Sequence, residues 1–141
     1  MYDLIVKKGR IVDGTGSQAY PADVGISGAD IVALGELEGE AILTIDAGGL
    51  IVAPGFIDLH SHSDFSFLLD PTAQSKIRQG VTLELAGNCG SSFCAPMIGA
   101  AEELLQARAS LYTDSFDVTW SNFGGYLDAV DRSGSTVNLA V

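Results

Sequence analysis

The chain has 141 residues, 47% of them hydrophobic and 18% charged, enough length and apolar content for a packed core and too apolar for a disordered chain. Eighteen acidic residues against seven basic ones leave a net charge of −11, which argues against nucleic acid or an anionic membrane surface as partner. No apolar run approaches the roughly 20 residues that span a bilayer, and residues 1–9 lack the basic start and apolar stretch of a secretory signal, so a cytoplasmic protein without a membrane segment is expected.

Residues 1–50 read as a small all-β unit. Short runs at 2–6, 10–12, 22–26, 31–34 and 42–45 are rich in β-formers and bounded by Gly, Asp or Pro. Asp13-Gly14-Thr15-Gly16 and Ser27-Gly28-Ala29-Asp30 read as turns, the second as a hairpin connection. Antiparallel pairing is expected throughout. Nothing in this stretch suggests chemistry.

The pattern changes after Gly49. Residues 51–59 predict one strand, and Pro71 with Gly80 frames a helix between them, proline suiting the first turn and glycine the C-cap. A second strand is expected over 81–86 and a helix over 99–111. Another helix near 121–130 carries Phe123, Tyr126, Leu127 and Val130 at helical spacing, an expected core face. Residues 136–141 predict a third strand. Strand–helix–strand–helix–strand is the logic of a parallel sheet or a β/α barrel. A (β/α)8 barrel takes around 250 residues, so residues 51–141 would supply its first two to three units.

The chain's only two histidines, His60 and His62, lie at the end of the 51–59 run. On a strand, residues at i and i+2 point to one side, whereas a helix would splay them by roughly 200°. Two imidazoles in one space suit a divalent metal, but two donors alone do not make a site, and hydrogen-bonded rings near a sheet edge fit the same spacing. Ligands of β/α sheets gather at the carboxyl ends of strands, and Cys89, in Gly87-Asn88-Cys89-Gly90, closes the next strand. A thiolate there is a zinc ligand or a small packing residue. Cys94 reads as packing; a Cys89–Cys94 disulfide is within reach in sequence but nothing demands it. Asp64 reads equally as a solvated loop carboxylate or as one supporting the histidines. Asp58 shares their parity and reads as a structural or supporting carboxylate. Glu84 reads as a partner within the sheet layers.

These motifs together resemble a known family. Pro54-Gly55-Phe56-Ile57-Asp58-Leu59-His60-Ser61-His62-Ser63-Asp64 is similar to the His-x-His signature of the amidohydrolase superfamily. Residues 2–14 resemble the opening of its accessory β-sandwich. Lys76-Ile77-Arg78-Gln79-Gly80-Val81-Thr82 followed by Gly87-Asn88-Cys89-Gly90 is similar to the N-acyl-D-amino-acid deacylases, or D-aminoacylases. The resemblance implies an α/β fold with an all-β accessory unit: residues 1–50 as part of a β-sandwich, residues 51–141 as the start of a metal-dependent (β/α)8 barrel.

It further implies His60 and His62 as ligands, Cys89 as a zinc thiolate in place of a carboxylated lysine, and Asp58 and Asp64 as candidate supports behind them. One or two zinc ions and hydrolysis of an N-acyl-D-amino acid by metal-activated water follow. Two more histidines and a general acid/base aspartate are expected beyond residue 141, supplied in cis or by another chain, so the 141 residues alone are expected to be inactive. A homo-oligomer is a further expectation. Alternatives are a cyclic-amide or D-amino-acid peptide hydrolase, against whose cyclic-amide branch Cys89 speaks, and a non-catalytic assembly subunit whose open sheet edge seeks a partner.

Overall fold

A computed structural model of the chain describes residues 1–90, 92–94, 99–111, 113 and 118–141. The chain divides into two compact units, Met1–Pro54 and Gly55–Val141.

The first unit is a five-stranded sheet. β1 (Tyr2–Ile11) lies centrally, flanked by β2 (Tyr20–Ser27) and then β3 (Asp30–Gly35) on one side and by β4 (Ala41–Asp46) and β5 (Ile51–Val52) on the other. β1–β2 and β2–β3 are antiparallel, but β4 and β5 run parallel to β1. The sheet is therefore mixed, not antiparallel throughout. The two runs expected at 2–6 and 10–12 are one strand, bent by a bulge between Val6 and Gly9 where Lys8 takes φ 61°. Asp23 pins that bulge: its carboxylate accepts the Lys8 backbone N–H at 2.7 Å and the Leu37 N–H at 3.2 Å. Those bonds, the Lys8 amide first, hold the Asp23 carboxyl below the ordinary aspartate range.

The single strand expected over 51–59 is two. β5 ends at Val52 and belongs to the first unit, while β6 (Phe56–Asp58) opens the second. The break is Pro54, which has no N–H to give a ladder. Gly55 follows because β6 lies so close to its neighbour: a Cβ there would sit 2.1 Å from Thr82 Oγ1.

In the second unit β6, β7 (Val81–Leu85) and β8 (Asn138–Ala140) form a parallel sheet in that order. Two four-residue helices join β6 to β7: α1 (Ser66–Leu69), which periodicity did not reveal, and α2 (Gln74–Ile77). The helix expected from Pro71 is this short because the Asp70 carboxylate captures Thr72 N and Oγ1 in a turn, and Ala73 is left-handed. The C-cap of α2 is Arg78 rather than the expected Gly80, which lies two residues further on and with φ 81° turns the chain into β7.

α3 (Ala101–Ala109) starts with Glu102 and Glu103, acids that favour a helix N-terminus. α4 (Phe123–Ser133) is capped by Asn122, which accepts Gly125 N–H, and ends at left-handed Gly134. Of its predicted core face, Tyr126 and Val130 are buried, whereas Phe123 and Leu127 keep much of their surface in solvent. The buried pair joins Phe65, Phe93, Cys94, Leu105, Ala109 and Trp120 in one cluster; Phe67, Ala73 and Val137 form another, and Leu139 of β8 packs on both. Among the described residues no helix is long and apolar enough to cross a membrane.

Candidate metal centre

The chain leaves β6 at Asp58, so His60 and His62 stand in the loop beyond the strand rather than on it. The alternation expected of a strand survives all the same. Ser61 N–H donates to Leu85 O at 2.9 Å, one step past the end of the ladder. That bond turns Ser61 inward, where it is buried, and leaves the flanking imidazoles exposed with ring centroids 5.6 Å apart.

Cys89 arrives from the adjacent strand. Gly87, Cys89 and Gly90 all take positive φ (76°, 57° and 68°), which reverses the chain just after β7. The turn brings Cys89 Sγ to 3.1 Å from His60 Nε2. One donor atom each from His60, His62 and Cys89 lies within 4.8 Å of the others. Both cysteines are free, Cys89 exposed and Cys94 buried.

Behind the donors runs a line of charge. Asp58 Oδ1 accepts the His60 backbone N–H at 3.1 Å, and Oδ2 pairs with Lys76 Nζ at 2.7 Å. Lys76 first, then the His60 amide, holds the Asp58 carboxyl below its usual range. Lys76 also reaches Glu84 Oε2 at 3.3 Å. Burial alone would pull the Lys76 ammonium down, but Asp58 and Glu84 together raise it. Glu84 is fully buried, and its Oε2 also accepts the Ser61 hydroxyl. Glu84, expected to pair within the sheet layers, instead finds its partners outside the sheet, Lys76 on α2 and Ser61 in the loop between the histidines. A cavity of about 70 Å³ beside it, lined also by Ser63, Asp70 and Lys76, has room for ordered water.

Asp64 is not a solvated carboxylate. It is 1% exposed and its Oδ2 accepts Phe93 N–H at 2.7 Å, while its backbone carbonyl accepts the Tyr126 hydroxyl. The partners of its carboxylate and carbonyl are core residues, Phe93 and Tyr126, so it braces the core. Sequence reasoning missed Lys76, Ser61 and Asn88. For Lys76 the one available signal was Glu84, the single charged residue of its strand, which when buried demands a cation nearby.

A family profile described as the amidohydrolase family matches residues 43–140, which include all three donors and the whole parallel sheet. The chain belongs to the amidohydrolase family. Within it, the D-aminoacylase of Alcaligenes xylosoxydans xylosoxydans is 38% identical over 140 residues, covering 99% of this chain and 28% of the relative. A solved D-aminoacylase described by its binuclear metal centre superposes with a TM-score of 0.82 at 37% identity, over 99% of this chain and 29% of its own. The N-acyl-D-glutamate deacylase of Bordetella bronchiseptica, solved with zinc and a phosphonate mimic of the tetrahedral intermediate, gives 0.79 at 37% identity, over 99% and 28%. This amidohydrolase chain therefore spans less than a third of the length of the relatives it matches.

The donor set of the amidohydrolase chain suits zinc. Bonds of about 2.0–2.3 Å let one ion join donors up to about 4.3 Å apart, and His60 and Cys89 are already inside that span at 3.1 Å. Two imidazoles and a soft thiolate are ligands zinc takes readily, whereas magnesium and calcium require oxygen.

Proposed function

We propose that the whole protein hydrolyses the amide bond of N-acyl-D-amino acids, with zinc held on this chain by His60, His62 and Cys89. The convergence of the three donor atoms within 4.8 Å carries the reading. It is supported by 38% identity to a D-aminoacylase across nearly the full chain. Met1–Pro54 is read as part of an accessory β unit and Gly55–Val141 as the first β/α units of a barrel.

Bound zinc supplies Lewis acidity at the amide carbonyl and lowers the pKa of water toward neutrality. The chain's own residues prepare that position. His60 is held by the Asp58 carboxylate at its backbone N–H. Cys89 is carried on a left-handed turn that brings its thiol to 3.1 Å from His60 Nε2. Asp58 stays ionised against Lys76 and acts as a support rather than a ligand. The general acid/base aspartate is placed outside these 141 residues, and turnover by this polypeptide alone is expected to be absent. Two free thiols fit a reducing compartment such as the cytoplasm. A homo-oligomer also fits this reading.

The test is Cys89→Ser in the whole protein, followed by elemental analysis and turnover of an N-acyl-D-amino acid. Zinc content and rate are expected to fall together. Undiminished zinc and undiminished rate would remove the thiolate from the site.

A further inference from the structure

The two halves of the donor set come from different strands, and the backbone between the histidines is tied to the backbone before the cysteine. Asn88 is the tie. Its Nδ2 donates to Ser61 O at 3.1 Å and to Leu85 O at 2.8 Å. Leu85 O in turn accepts Ser61 N–H at 2.9 Å. The Ser61 hydroxyl donates to buried Glu84. Every polar group of Ser61 is thus engaged: N–H on β7, carbonyl on Asn88, hydroxyl on β7 again. Ser61 is flanked by His60 and His62, and Asn88 immediately precedes Cys89.

We propose that Asn88, acting through Ser61, is a positioning residue that holds the His60/His62 pair and Cys89 in the register one metal ion needs. Both atoms it faces are carbonyl oxygens, so only the NH2 end of the amide serves, and its orientation is chemically fixed. A residue with the same outline but without donors would set an oxygen against two oxygens. The proposal rests on His60, His62 and Cys89 being ligands; what it adds is that the distance between the two halves is set by one side-chain amide. Partners standing behind metal ligands typically contribute 10–100-fold in metal affinity.

The experiment compares wild type, Asn88→Ala and Asn88→Asp of the whole protein, each stripped of metal and titrated with zinc and separately with cobalt(II). Apo-protein circular dichroism and thermal midpoint are measured alongside. Cobalt reports a thiolate directly, because a sulfur-to-cobalt charge-transfer band appears only when a cysteine shares the ion, and its loss in Cys89→Ser assigns the band to Cys89. For both variants the expected result is about 10–100-fold weaker zinc binding and a weakened thiolate band, with the apo fold retained. Asn88→Asp keeps the volume of the side chain, so a loss there is not a packing effect. Unchanged affinity and an unchanged band in the variants, beside a wild type that shows both, would overturn the clamp and leave the ligand assignment standing. A wild type without any thiolate band would overturn the ligand assignment itself, and the clamp with it.

Discussion

Cys89 holds a left-handed backbone, φ 57°, a conformation that costs an L residue roughly 1–2 kcal/mol. Glycine would adopt it freely and lose only about 0.5–1 kcal/mol through its looser unfolded chain. Cys89→Gly is therefore expected to raise the apo protein's stability by about 0.5–1 kcal/mol while cutting zinc uptake, a pairing of gain and loss expected of strain kept at a working position. Denaturant titration beside a zinc assay measures both; a variant less stable than wild type would contradict the account of strain. Lys76 carries a different burden. It is the one cation within reach of fully buried Glu84 among the described residues, and removing one member of a buried pair strands the other charge. Lys76→Met is expected to cost about 3 kcal/mol in urea denaturation. Lys76→Met paired with Glu84→Gln should recover most of that loss, since the fully buried charge goes with its partner and only the part-exposed Asp58 is left without Lys76. Equal losses in the single and double variants would refute the pairing.

At the level of elements, Asp23 joins the β1 bulge to the segment after β3. Its folded pKa lies below the unfolded value. The stability it contributes is therefore present above the ordinary carboxylate range near pH 4 and is lost as pH falls through the depressed folded value. Asp23→Asn should lower the thermal midpoint at neutral pH and flatten its fall on acidification; an acid limb parallel to wild type would rule out this role. How much of such detail the sequence discloses depends on the kind of signal. Strand cores at 22–26, 31–34, 42–45 and 81–86 were legible because β-formers alternate between glycines. The parallel direction of β4 was not, because a period of two is the same whichever way the neighbour runs. Pro54 was visible, but that it divides two units is a matter of which strand each side finds. The helix from Pro71 contracted because Asp70 offered Thr72 a competing turn. His60, His62 and Cys89 stood out by residue type, and the structure brings one atom of each within 4.8 Å of the others. Ser61 and Asn88 did not stand out, since serine and asparagine occur everywhere and their role appears only when β7 lies beside them.

On the scale of the whole chain, large apolar side chains stand in solvent on both units. Ile42 is 72% exposed, Phe56 65% and Leu59 70%, and exposed apolar surface joined to unpaired strand edges favours association. The 141-residue polypeptide alone is expected to bind a hydrophobic dye such as ANS and to grow in hydrodynamic radius with concentration; a dye-silent monomer would contradict this. The His60–Cys89 contact has one more consequence. The two residues lie 29 apart along the chain, so an ion gripping both acts as a reversible staple across α1, α2 and β7. In chain-entropy terms a cross-link closing a loop of that length restricts the unfolded state by about 3–4 kcal/mol. Chelation should therefore loosen the stretch from β6 to β7 before the rest, with amide hydrogen exchange rising there first and the first unit's sheet unmoved.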